Sequence, residues 1–241
     1  MSSLLHRATS GTDGADALLS GVSADFLDQL NRLTATASDL NPLNVQLAKR
    51  LENSILGGEV RVAVSDSRYP HVRFRPSGWR QDMPLMRTSS MVSELASVVV
   101  FLRHIVRPGD LLIIDEPEAH LHPGMQAVLA REVIRWVLSG FRVVVTTHSE
   151  WFLEQVANRV KLSSTPQERR TGIADPDVAI PPAHVGVWLF RSKGEGDGSF
   201  VDGLELDPET GLYPADHDAV SEALYNESAR IFRCSPDDRG E

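Results

Sequence analysis

The stretch from Leu111 to Val160 constrains the fold more than any other part of the chain. Leu111 to Ile114 is wholly apolar, the pattern of a strand buried inside a parallel sheet. Met125, Leu129, Val133 and Val137 then share one face of a helix over 123–138, and Gly140 stops it. Phe141 to Thr147 reads as a second strand, and 150–160 as a helix turning Phe152, Val156 and Val160 inward. Strand–helix–strand paths of this length close as right-handed parallel crossovers. The expected fold is α/β, a mainly parallel sheet flanked by helices.

The rest of the chain is placed around that unit. Residues 1–15 are rich in Ser, Thr, Gly and Asp; Leu18, Val22, Phe26, Leu30 and Leu33 then recur at helical spacing over 16–34. A second helix starts at Asp39 or Asn41 with Pro42 in its first turn, carries Leu43, Leu47, Leu51 and Ile55, and stops at Gly57-Gly58. The period then shortens to two. Val60, Val62 and Val64, and later Val72 and Phe74, alternate with polar residues and predict two strands joined around Asp66 to Pro70. Residues 76–87 read as loop. An almost wholly apolar helix over 92–106 should be buried. Beyond 162 come a strand at Val185 to Phe190, a turn over Gly194 to Gly198, a returning strand at Phe200 to Leu206 and a helix near 219–232. The organisation expected is an N-terminal helical segment (1–58), a lobe (59–162), a polar linker (163–183), terminal strands and helix of the same domain (184–233), and a tail (234–241).

Composition narrows the function classes. Formal net charge is -9 over 241 residues, which does not advertise a nucleic-acid surface. A local basic patch stays open, because arginines cluster between Arg68 and Arg87. The single cysteine, Cys234, forms neither a disulfide framework nor a cysteine zinc site within one chain. That fits a cytoplasmic protein. No apolar signal core and no membrane-length apolar run occurs.

Two motifs carry chemistry. Asp115 and Glu116 follow the first strand, at the end where open α/β sheets bind ligands. An oxygen ligand there suits Mg²⁺, and a second carboxylate can polarise water for attack on a phosphate. The plainer reading is a strand ending in an Asp-Glu-Pro turn. His148 follows the second strand within Thr146-Thr147-His148-Ser149, where an imidazole can hydrogen-bond a phosphate or the attacking water. Together the motifs favour the chemical reading.

Ile113 to Pro123 and Val145 to Ser149 resemble the C-terminal lobe of ABC-type AAA ATPases, the predicted ATPases similar to RecF, SMC and overcoming-lysogenization-defect proteins. The resemblance spans roughly Leu56 to Phe232 and is strongest from Thr88 to Val160. It implies a P-loop NTPase fold with ATP and Mg²⁺ as cofactors. It implies that Asp115 is the Walker B aspartate supporting Mg²⁺, Glu116 the catalytic base and His148 the switch histidine. Ala119 to Pro123 matches a loop that touches a partner subunit, which explains His120 and His122 better than a metal pair does. Ser89 and Ser90 match the signature motif, which binds the γ-phosphate held by an opposite subunit at a helix N-terminus. A plain serine N-cap is the alternative. Met91 departs from the glycine of the wider class.

No Gly-x-x-x-x-Gly-Lys-Ser/Thr occurs in the 241 residues. Gly194, Gly196 and Gly198 suit a hairpin turn, and Asp202, Glu205, Asp207 and Glu209 a solvated hairpin rather than a nuclease site. The expectation is an ATPase-type protein lacking its own phosphate cradle. It would act as a homo- or heterodimer with another ATPase lobe, in a DNA-processing or phage-defence complex and without membrane contact. A non-catalytic subunit docking on a complete ATPase is the second reading.

Overall fold

The computed structural model describes residues 40–64, 70–194, 198–207 and 215–234. The helix expected over 16–34 lies outside them, as does the turn between the first two strands. The chain divides into two compact units, Met1–His120 with Ser139–Val145, and Leu121–Leu138 with Thr146–Glu241.

In the first unit, helix α1 (Pro42–Leu51) starts where Asn41 caps it, its side chain accepting from Leu43 N at 2.9 Å. The helical path runs on as a π-turn, Glu52–Leu56, and ends at Gly57 with φ 62, a left-handed conformation that glycine adopts without a Cβ clash. Strands β1 (Gly58–Val64) and β2 (Pro70–Pro76) pair antiparallel, with Val60 opposite Phe74 and Val62 opposite Val72. The segment expected as loop contributes a third, two-residue strand, β3 (Met83–Pro84), against β2. Helix α2 (Ser90–His104) buries Val92, Leu95, Ala96, Val99, Val100 and Leu102, and α1 packs on it.

A buried charge fixes that packing. Glu52 is 3% exposed. Its Oε1 accepts from Val60 N at 2.6 Å, and its Oε2 accepts from Arg103 Nη2 at 2.6 Å. Arg103 Nη1 donates in turn to Val60 O at 2.7 Å. The carboxylate thereby ties the end of the helical run, the first strand and α2 to one another. Breaking such a pair from one side costs about 3–5 kcal/mol.

Strand β4 (Leu111–Asp115) pairs with β5 (Arg142–Thr146). Leading into the pair, Gly109 N donates to Gly140 O and Arg142 N to Asp110 O. The partner numbers climb together, which is the parallel sense. The α/β class with a parallel sheet is therefore observed, beside antiparallel pairing in β1–β2–β3. One detail differs from expectation. Leu112 is buried, but Leu111 is 50% and Ile113 71% exposed, with Val144 of β5 at 47%. The apolar run of β4 is covered on one face only.

In the second unit, helices α3 (Pro123–Leu138) and α4 (Glu150–Ser163) pack together. Ile134, Val160, Val178 and Ile180 form a core joined by Val137, Val156, Val185 and Leu206. Two of these residues come from 163–183, the segment expected as a polar linker, so that segment packs instead of spanning open solvent. It is pinned at Asp175, which holds φ 52. Asp175 pairs with Arg131 Nε at 3.1 Å and with Arg135. Arg159 Nη1 donates to the carbonyls of Ala174 and Asp175 at 2.9 and 3.1 Å. Strands β6 (Val187–Ser192) and β7 (Ser199–Leu204) form the expected antiparallel hairpin. Helix α5 (Ala215–Cys234) follows, longer than its apolar spacing suggested. Among the described residues no helix is long and apolar enough to cross a membrane.

Candidate active site

The acidic pair lies in the first unit. Asp115 is the last residue of β4, and Glu116 follows it outside the strand; both are exposed. Glu116 holds φ 40. A non-glycine residue in the left-handed region is uncommon and costs free energy, and such outliers cluster at functional sites. The turn it opens is closed by Ala119 N donating to Glu116 O at 3.1 Å. Glu118, two residues on, points inward and is 3% exposed. The reversal thus turns one carboxylate into the protein and leaves two in solvent at the strand end.

The loop after this turn is tied to α2. His120 Nε2 lies 2.9 Å from Glu94 Oε1, a residue of that helix's second turn. His122 instead accepts on Nδ1 from Gly124 N at 3.3 Å. Among the described residues no three His, Cys, Asp or Glu side chains gather as a metal cage. Mg²⁺ needs no such cage. It binds through one or two carboxylates, water and substrate phosphate, and an exposed aspartate at a strand end has the right donor chemistry. The donor chemistry of Asp115 therefore suits that ion.

Ser89 and Ser90 open α2 in the same unit. Ser89 is the N-cap, its hydroxyl accepting from Val92 N at 3.4 Å, a long bond. Behind it, Thr88 Oγ1 and Ser93 Oγ both donate to Leu85 O, at 2.6 and 3.0 Å, which fixes the approach to the helix. Ser89 and Ser90 are exposed, and the first turn carries no acidic residue. The positive end of the helix dipole is left facing solvent. The N-cap reading and the phosphate-binding reading of Ser89 are thus compatible in one geometry.

His148 belongs to the second unit, exposed between β5 and α4. Its neighbour Ser149 holds the loop. Ser149 Oγ accepts from Phe152 N at 3.0 Å and bonds Gln126 Oε1 at 2.6 Å, while Gln126 Nε2 donates to Leu121 O at 2.9 Å. Ser149 N donates to Thr147 Oγ1 at 3.0 Å. The His148 loop is therefore braced against the start of α3. Gln126 and Glu94 were not readable from the sequence, because their roles rest on partners 23 and 26 residues away.

A family model described as an AAA ATPase domain matches residues 20–153. No curated protein matches the chain. Among solved structures, an SMC ATPase from work on ATP-driven dimerization and DNA-stimulated activation is 14% identical. The match covers 76% of this chain and 94% of that one, with a TM-score of 0.44. An SMC head bound to the C-winged helix domain of ScpA is 14% identical over 85% of this chain and 60% of that one, with a TM-score of 0.47. The Smc head domain with an extended coiled coil bound to the C-terminal domain of ScpA, from Pyrococcus furiosus, is 16% identical over 45% and 28%, with a TM-score of 0.36. The family match takes in more than half of the 241 residues and includes Ser89, Ser90, Asp115, Glu116 and His148, so the chain belongs to the AAA ATPase domain family.

Proposed function

We propose that the chain supplies the hydrolytic and signature elements of an ATP-hydrolysing assembly, with the phosphate cradle coming from residues outside this sequence. Asp115 would hold Mg²⁺, which when bound would offset phosphate charge. Glu116 orients and deprotonates the attacking water. His148 hydrogen-bonds the γ-phosphate or that water. Ser89, Ser90 and the first N–H groups of α2 receive the γ-phosphate held by another subunit, as a homo- or heterodimer requires. The setting proposed is a cytoplasmic DNA-processing or phage-defence complex, by family analogy.

The observation that carries this reading is the left-handed backbone at Glu116. An ordinary strand-to-turn exit has no need to hold a glutamate there. The test is turnover and binding of labelled ATP by the full chain. The isolated chain should bind weakly and turn over little. Adding a P-loop-bearing partner lobe should raise hydrolysis, and Glu116→Gln should then cut it by about 100-fold or more. Robust Glu116-dependent hydrolysis by the chain alone sinks the requirement for an outside cradle.

One observation favours a second reading, a non-catalytic subunit docking on a complete ATPase. The apolar face of β4–β5 is open at Leu111, Ile113 and Val144, and apolar sheet faces are usually covered. On this reading Glu116→Gln leaves the activity of the partnered ATPase unchanged, whereas Ile113→Asp abolishes its response to the chain.

A further inference from the structure

The β1–β2–β3 sheet gathers positive charge in a chain that is acidic as a whole. Over its described residues and the turn up to Ser90, five arginines (61, 73, 75, 80 and 87) face two acids, Glu59 and Asp82, in a protein of net charge -9. Arg61 and Arg73 stand directly opposite each other across β1 and β2. Like charges in that position destabilise a sheet, and the arrangement is eased by an anion. Glu59, 3.1 Å from Arg61 Nε, and Asp82, whose carbonyl accepts from Arg73 Nη2 at 2.9 Å, supply part of that charge. Asp82 Oδ1 accepts from Arg75 Nε at 2.6 Å and its Oδ2 lies 3.7 Å from Arg61 Nη1. The Arg75 guanidinium holds the Asp82 carboxyl below the usual carboxylate range, so Asp82 stays ionised as a clamp between the strands.

Beside this clamp lies an open cleft of about 540 Å³, lined by Arg73, Trp79, Asp82, Met83 and Arg87 among others. That size is in the range of small-ligand sites. Trp79 is 59% exposed, which leaves its indole face open to a ligand. Arg80 and Arg87 are exposed and make no ion pair among the described residues. Cations interleaved with an exposed indole match the chemistry of an unstacked base flanked by phosphates.

We propose that this cleft binds single-stranded nucleic acid, with one base stacked on Trp79 and the neighbouring phosphates held by Arg73 and Arg87. The assignment does not depend on the ATPase reading, since none of these residues belongs to the hydrolytic set. A duplex hides its base faces and offers only phosphate, so it should bind less tightly.

The test uses the full chain and a fluorescently labelled 15-mer of oligo-dT at low salt, read by anisotropy. Trp79→Ala should weaken binding about tenfold, the loss of one stacked base, whereas Trp79→Phe keeps a ring and should bind nearly as the parent does. Arg87→Gln should weaken binding about threefold and lower the salt dependence by about one phosphate contact. Thermal melts of the three variants should match the parent, because both side chains are exposed. No binding of the 15-mer overturns the proposal. So does Trp79→Ala binding like the parent, or a 15-base-pair duplex binding as tightly. Displacement of the 15-mer by equimolar ATP assigns the cleft to a free nucleotide and also overturns it.

Discussion

Among the described residues two helices begin with a serine cap, and they begin differently. At the start of α4, Ser149 is buried, bonds Phe152 N at 3.0 Å and Gln126 at 2.6 Å, and Glu150 stands in the first turn. That helix end is answered from within the protein. At the start of α2, Ser89 is exposed, its bond to Val92 N stretches to 3.4 Å, and no acid occupies the first turn. The same residue type at the same helical position is structural in one place and open to an incoming anion in the other. The difference is read from neighbours, not from the cap.

The contrast can be put to experiment. Ser149→Ala should have the largest effect, a loss of about 2 kcal/mol in urea unfolding, since it removes a cap and strands the Gln126 carboxamide oxygen. Ser89→Ala should cost only about 0.5 kcal/mol by the same measurement. Equal losses would erase the distinction between the two ends. Charge placed at the helix starts sharpens it. Glu150→Gln should destabilise by about 0.5 kcal/mol, while Ser90→Asp should stabilise by a similar amount and weaken capture of a partner's nucleotide. If Ser90→Asp is neutral to folding, the end of α2 is already compensated.

The smallest effect lies at the far end of α2. Burial, with Arg103 beside it, holds the His104 pKa below its usual 6.5. The folded state therefore binds fewer protons than the unfolded one. The stability this contributes is complete above about pH 6.5 and fades as pH falls through the lower folded value. Urea midpoints measured between pH 7 and pH 5 should fall less steeply in His104→Gln than in the parent.

Local pattern made much of the molecule legible. The 3.6-residue period placed α1, α2, α3 and α4 to within a few residues, because each buries one stripe. Val60, Val62, Val72 and Phe74 announced the β1–β2 pair by alternation, and the register sets Val60 against Phe74 as alternation requires. Strand β3 was not legible, because Met83–Pro84 is too short to show any period. Val178 and Ile180 stand in the stretch expected as a polar linker, and only the fold brings them to Ile134 and Val160. The site divides the same way. Asp115, Glu116 and His148 were marked by the strands they follow. Their supports, Glu94 for the loop after Glu116 and Gln126 for the loop after His148, were not marked at all.

The sequence by itself determined which of the longer segments become helices and strands, and which residue types stand at the strand ends. Those properties follow from chemistry within a few residues, where periodicity and capping act. The tertiary structure alone decided that Glu116 takes a left-handed backbone, that β4 keeps Leu111 and Ile113 in solvent, and that one serine cap is closed while the other stays open. Each depends on what distant chain segments cover or leave bare; local spacing marks which face is apolar, and only the assembled fold decides whether that face is covered.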